Sequence, residues 1–354
     1  MQNLALCGDT KQMTKSSRLK QRGAKLLLLL IGVFCGLLLI ELYVRLFIKQ
    51  PVLPRIVMDP GYGVRDNMRN VRIRYIWPGE YDVRITTDGD GLRGERNYSR
   101  VKPPGVLRVA LVGDSFPFGF GVNDEEVVSA RLATYLGMSR AGSSPEVLNF
   151  GVSGFGQAEE LVQYQNKVRA YSPDWVVLFF CCDNDIGDNA VSGLFTVLPD
   201  GGVKRVKREF LPGSRMQEKL YRFPPTRWVY THSQLFNYIR NRLSGMVQGR
   251  LLREQGMKSY DDSTPESVRL TRALLVELIR EIRADGAKPV VFIIPSRNLR
   301  SNFPMSREEI LKLGAAWVDG RQFLKPEDYY VHDEHWRASG HDKAARALAG
   351  VIGG

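Results

Sequence analysis

Three stretches of this chain are apolar at nearly every position instead of at every second one, and that pattern narrows the fold more than any other feature. They lie at 107–112, 175–181 and 289–294. Each is bounded by punctuation: Gly113 after the first, Pro173 before the second, Pro295 after the third. A strand with one wet face alternates apolar and polar residues. A strand read as apolar throughout belongs in a parallel sheet covered on both faces. A shorter run of the same kind lies at 146–150. Between these runs the spacing turns helical, at 125–136, 158–171, 267–285 and 338–351, with Gly286 ending the third. Strand and helix in alternation predict a doubly wound α/β domain.

In open parallel sheets, sites form outside the carboxyl ends of the strands. Three distinctive loops follow the predicted strands. The first is Gly113-Asp114-Ser115-Phe116-Pro117-Phe118-Gly119. The second, at 149–156, contains Gly154, and the third, at 182–189, contains Asn184 followed by Asp185. A fourth element, His332-Asp333-Glu334-His335-Trp336, lies near the C-terminus. These residue types suit acyl transfer. A serine hydroxyl attacks a carbonyl only when a base takes its proton, and the base needs a group that fixes its tautomer. The developing oxyanion needs donors aimed at it. Ser115 is the candidate nucleophile, His335 the base, and Asp333 the residue that orients it. The backbone N–H of Ser115, the backbone N–H of Gly154 and the Asn184 side chain are candidate oxyanion donors.

Each of these residues alone has an ordinary structural explanation: Ser115 as a helix cap, Asn184 and Asp185 as turn residues, Gly154 as a tight turn. Asp114 is assigned to local hydrogen bonding. Other motifs fail on inspection. The 113–119 loop lacks the Gly-Lys-Ser/Thr ending of a phosphate loop and the third glycine of a dinucleotide fingerprint. Gly151-Val152-Ser153 is followed by Gly154 and Phe155, so no nucleophile elbow forms around Ser153. His332 and His335 are three apart, unlike the pair on a zinc-binding helix, and no metal is expected.

Taken together, in this order and spacing, the four blocks resemble those of the SGNH (GDSL-like) hydrolases, a family of esterases, lipases, thioesterases and carbohydrate deacetylases. The likeness spans about 108–348. Residues 86–96, with Gly91-Leu92-Arg93, also resemble the lead-in of membrane-anchored bacterial members. The resemblance implies a three-layer α/β/α sandwich with a parallel flavodoxin-like sheet. It implies Ser115, His335 and Asp333 as catalytic residues, an oxyanion hole of Ser115, Gly154 and Asn184, and no cofactor. Two departures stand out. Only Glu334 separates Asp333 from His335, where the family has two residues. The partner of His335 is therefore open between Asp333, Glu334 and a backbone carbonyl. In the third block, Cys182 stands where the family has glycine.

Residues 26–40 read LLLLLIGVFCGLLLI, and as far as 48 only Glu41 and Arg45 carry charge. Spanning a bilayer takes about 20 residues, so 26–48 suffices when Arg45 snorkels to the interface. Lys11, Lys15, Arg18, Lys20, Arg22 and Lys25 precede the run, which predicts a cytoplasmic N-terminus and an exported remainder. No small-residue cleavage site follows, so an uncleaved anchor is expected over a cleaved signal. The expected organisation is a basic cytoplasmic tail (1–25), a transmembrane helix (26–48), a linker and strand-containing lead-in (49–104), and a hydrolase-like domain (105–354). Strands are expected in the lead-in at 71–77 and 81–87.

The net charge of +12 favours anionic partners. The basic tail accounts for part of it by topology, so no nucleic-acid partner is expected. Apolar and charged contents of 44% and 25% are those of a globular protein. Cys181 and Cys182 are adjacent in a predicted strand and point to opposite faces, so no disulfide framework is inferred. An irregular, basic insertion is expected at about 186–264. It carries Lys204, Arg205, Lys207 and Arg208, then Trp228, Tyr230, Phe236 and Tyr238. Its basic face is either solvated or in contact with substrate or lipid headgroups. The function expected is a membrane-anchored, extracytoplasmic serine esterase acting on an acylated glycan or a small ester. Two alternatives stay open: an O-acyltransferase working with a membrane acyl-donor partner, and a catalytically silent glycan-binding subunit.

Overall fold

A computed structural model describes residues 15–48, 56–139, 145–212, 214–260 and 262–354. The first part of the expected tail, with Cys7 and Lys11, and residues 49–55 of the expected linker lie outside them. The chain divides into two compact units, 1–49 and 50–354.

Within the first unit one helix runs over Lys15–Phe47. Its 28-residue portion Lys20–Phe47 is long and apolar enough to cross a membrane. At 1.5 Å per residue that portion extends about 40 Å, more than the hydrocarbon core needs. Arg45 Nε lies 2.7 Å from Glu41 Oε1, one turn away, so the two charged residues of the run meet as a pair.

The second unit is built on a five-stranded parallel sheet. Its lead-in supplies an antiparallel hairpin, β1 (Arg72–Trp77) and β2 (Tyr81–Thr86). The sheet strands are β3 (Arg108–Val112), β4 (Glu146–Asn149), β5 (Trp175–Cys181), β6 (Lys288–Ile294) and β7 (Ala316–Asp319). Their spatial order is β7-β6-β5-β3-β4. The chain starts beside the centre, moves to one edge, then crosses back to fill the other side, which is the flavodoxin-like order.

Alternate side chains of these strands enter two separate cores. Ala110, Val112, Leu148, Val176, Leu178, Phe180, Val291 and Ile293 pack with Ala158, Leu161, Leu274, Leu278 and Ile282 from helices Gln157–Asn166 and Pro265–Ala284. Val109, Leu111, Val177, Phe179, Val290, Phe292 and Ile294 pack with Val128, Leu132, Leu136, Ala344, Leu348 and Ile352 from helices Val128–Ser139 and Ala338–Gly353. This is why the strands carry no polar face, and it makes the domain a three-layer α/β/α sandwich. Cys181 and Cys182 fall in opposite cores and are both free.

Two features depart from the sequence expectation. Strand β7 has no counterpart in it: four residues at a sheet edge give too short a signal. The insertion, expected to be irregular, is largely helical over Asp185–Ser192, Ser214–Arg222, Pro224–His232 and Gln234–Glu254, with a short hairpin pairing Phe195–Val197 and Val203–Arg205. Its longest helix buries only Asn237 and Leu252, so no apolar stripe marks it in the sequence.

The lead-in hairpin does not stand apart from the sandwich. Its buried residues Tyr75, Tyr81, Val83 and Ile85 form a small core with Phe118, Phe120 and Tyr330. The hairpin is thereby seated on the loop after β3 and on the C-terminal loop.

Candidate active site

Ser115 opens a single helical turn, Ser115–Phe118, directly after β3. Asp114 caps that turn by accepting the Phe116 N–H at 2.9 Å, which is the local role read from the sequence. The approach is tight. A Cβ on Gly113 would stand 2.7 Å from Pro117 Cγ and 2.9 Å from Phe179 Cβ, so only glycine lets the strand turn here. Ser115 is 7% exposed.

The C-terminal loop brings its imidazole to this serine. His335 Nε2 lies 2.7 Å from Ser115 Oγ, and His335 Nδ1 lies 3.0 Å from Asp333 Oδ2. The loop is pinched shut by Tyr330 N–H donating to the His335 carbonyl at 2.9 Å, beside an antiparallel bridge between Tyr329 and Trp336. Glu334, the one residue between acid and base, has a left-handed backbone with φ of 60°. That conformation costs a non-glycine residue about 1 kcal/mol or more. It is how a two-residue step presents Asp333 to His335, and Glu334 itself is exposed. Phe116 and Phe120 flank the imidazole, with ring centroids 5.0 and 5.6 Å away. Burial pushes the His335 pKa down. The Asp333 charge and hydrogen bond push it up and prevail, so the net direction is upward.

Gly154 adopts φ of 68° in the loop after β4. This loop is docked on the serine loop: Val152 N–H donates to the Gly113 carbonyl at 3.0 Å. A Cβ on Gly151 would stand 2.6 Å from Phe118 N, another close backbone approach. The carbonyl of Gly154 accepts a hydrogen bond from Arg65 Nη2. Asn184 precedes helix Asp185–Ser192, and its Nδ2 donates to Asp188 Oδ2 at 2.8 Å and to Asp114 Oδ2 at 3.3 Å. The two carboxyls set the amide orientation, nitrogen toward the acids.

Behind these loops lies a buried acidic group. Burial, more than any neighbour, raises the pKa of Asp114, Glu159, Glu160, Asp185 and Asp188, Glu159 to about 7. Five neighbouring carboxyls cannot all ionise in such a setting. Asp185 accepts from Gln157 Nε2 at 2.5 Å and from the Cys181 N–H at 2.9 Å, tying β5 to the first helix of the opposite core. His341 lies at the other side of the sheet. It is buried, accepts the Val128 N–H at 3.3 Å and packs edge-on to Trp336.

The sequence pattern does not nominate three residues at this site: Arg65, Glu80 and Tyr81. All three come from the lead-in, and nothing in their local pattern points to a site. Tyr81 reaches Asp333 across 252 positions. A separate groove of about 720 Å³, between the hairpin and helix Val128–Ser139, contains none of Ser115, Asp333 or His335.

No protein-family model matches this chain, and no curated protein matches it in sequence. Among solved structures it is similar to the acetylxylan esterase Axe2 from Geobacillus stearothermophilus, at 15% identity and a TM-score of 0.41, over 70% of this chain and 94% of that one. It is similar to a putative lipolytic protein of the G-D-S-L family from Desulfitobacterium hafniense, at 13% identity and a TM-score of 0.38, over 69% and 99% of the two chains. LAE5, an alpha/beta hydrolase enzyme from the metagenome of Lake Arreo, matches at 12% identity and 0.41, over 70% and 95%. Likeness at this level carries no argument about activity, and the case for a function rests on the geometry of the site.

Proposed function

We propose that this protein is a serine esterase that works through an acyl-enzyme. The observation that carries the reading is the continuous contact from Ser115 Oγ to His335 Nε2 at 2.7 Å and from His335 Nδ1 to Asp333 at 3.0 Å. His335 takes the Ser115 proton as the hydroxyl attacks an ester carbonyl, and Asp333 stabilises the imidazolium that forms. The N–H groups of Ser115 and Gly154 and the Asn184 amide receive the oxyanion. Asn184 frees one N–H for this task by giving up its longer bond, the 3.3 Å contact to Asp114. His335 then returns the proton to the departing alcohol. Water, activated by the same imidazole, releases the acid.

The substrate class is an O-acylated glycan at the outer face of a membrane. This part rests on the N-terminal helix and the basic residues before it, which anchor the chain in one pass and leave the catalytic unit outside the cytoplasm. The test is ester hydrolysis by the full chain in detergent, with Ser115→Ala and His335→Ala beside it. Wild-type turnover in both variants refutes the reading. Comparing acetyl release to water with transfer to an added glycan separates hydrolase from acyltransferase.

A further inference from the structure

The hairpin of the lead-in ends in a turn whose last two residues, Glu80 and Tyr81, both reach the loop that carries Asp333. The Glu80 carboxylate accepts three successive backbone N–H groups: Val331 at 2.7 Å, His332 at 2.8 Å and Asp333 at 2.8 Å. Tyr81 donates its hydroxyl to Asp333 Oδ2 at 2.9 Å, the same oxygen that faces His335 Nδ1. Tyr81 is itself immobilised. Its ring stacks on Tyr75 at 5.5 Å and meets the edge of Tyr330 at 4.9 Å. Burial pushes its phenol pKa up, as do Tyr75 and Asp333, so it remains a donor.

We infer that Glu80 and Tyr81 are positioning residues for the acid–base pair, and that the lead-in hairpin is part of the catalytic unit rather than a spacer behind the anchor. The inference rests on the assignment of Ser115, His335 and Asp333 as the reacting groups. The physical need is visible in the loop. With one residue between acid and base, the backbone at Glu334 is left-handed. Three N–H groups then converge on one side with no strand or helix to receive them, and such a concave set of donors binds an anion. Glu80 is that anion, supplied from within the chain. Tyr81 adds a second donor to the Asp333 oxygen, which holds the carboxylate in one rotamer. A carboxylate held by one hydrogen bond to an imidazole can swing; one held by two donors at fixed positions cannot.

The test uses the full chain in detergent and a serine-directed fluorophosphonate, with hydrolysis of a small aryl acetate as the second readout. Tyr81→Phe and Glu80→Gln are compared with Glu95→Gln, which breaks an exposed pair with Arg72 elsewhere on the lead-in. We expect Tyr81→Phe and Glu80→Gln to lose about tenfold to a hundredfold in kcat and in labelling rate, with KM little changed, as displaced catalytic groups do. Glu95→Gln stays at the wild-type rate, and Glu80→Asp, which keeps both oxygens, recovers part of the loss. In Glu80→Gln the acid limb of the pH profile moves to lower pH, because an Asp333 drawn off the imidazole no longer raises its pKa.

Wild-type rates and an unmoved acid limb in both variants overturn the positioning role while leaving the esterase reading intact. A loss that only follows the unfolded fraction, with the limb in place, overturns it as well. A wild type that takes no phosphonate overturns the esterase reading and this inference with it.

Discussion

Asn184 turns its amide nitrogen to Asp188 at 2.8 Å, inside a shell of carboxyls that burial keeps largely protonated. The side chain is thus aimed before any substrate arrives, which is what an oxyanion donor requires. For Asn184→Ala we expect kcat to fall by about 10²–10³-fold with little change in KM, the range for loss of one such donor. Steady-state kinetics on a soluble aryl ester decide it, and an unchanged kcat removes Asn184 from the oxyanion hole.

The upward shift of His335 sets a pH dependence. As a base the imidazole must be neutral, so kcat/KM should fall on the acid side with a midpoint above the ordinary histidine value. Asp333 is what lifts it against burial. Asp333→Asn removes the lifting charge and leaves the burial, so the midpoint should drop below the ordinary value while the rate above it falls steeply. A pH–rate profile of both proteins shows the two midpoints in that order or contradicts the assignment.

Stability should depend on pH through His341. Burial lowers its pKa to about 3, with Arg93 and His335 adding to the effect. In the unfolded chain it titrates near 6.5. The unfolded state therefore binds more protons between these values, and stability present above about pH 6.5 is lost as pH falls toward 3. Replacing His341 by Gln should flatten the fall in urea midpoint between about pH 6.5 and 4.5, and an equal fall in both proteins would exclude this histidine as its source.

Gly113→Ala should destabilise the second unit by about 1–3 kcal/mol, since its methyl meets Pro117 at 2.7 Å and Phe179 at 2.9 Å with no room to yield. Gly154→Ala has a different cause: φ of 68° and Arg65 Nη2 at 2.9 Å from the added carbon. It should cost less stability and more activity, because the strain falls on the loop proposed to offer an oxyanion N–H. Thermal midpoints and kcat of the two variants give the comparison.

The α/β class, the four longer strands of the sheet and the apolar N-terminal helix are legible in the sequence because each is a local pattern. Runs without a polar face mean burial on both sides, and an uncharged run of bilayer length means an apolar solvent. Ser115, Gly154, Asn184, Asp333 and His335 can be nominated because they stand in short blocks after strands. Which group partners His335 is not legible. Asp333, Glu334 and a carbonyl are equal candidates until the left-handed backbone at Glu334 sends its side chain to solvent and leaves Asp333 at 3.0 Å.

The insertion and β7 escape for the opposite reason: a helix that buries two residues and a four-residue edge strand leave almost no periodic trace. Sequence alone determined where the chain is apolar, where it turns and which reactive side chains it carries. Tertiary structure decided which of them meet. The 2.7 Å between Ser115 and His335 and the grip of Glu80 and Tyr81 on Asp333 join residues more than 200 positions apart. Packing closes such distances, and no pattern local to either partner records them.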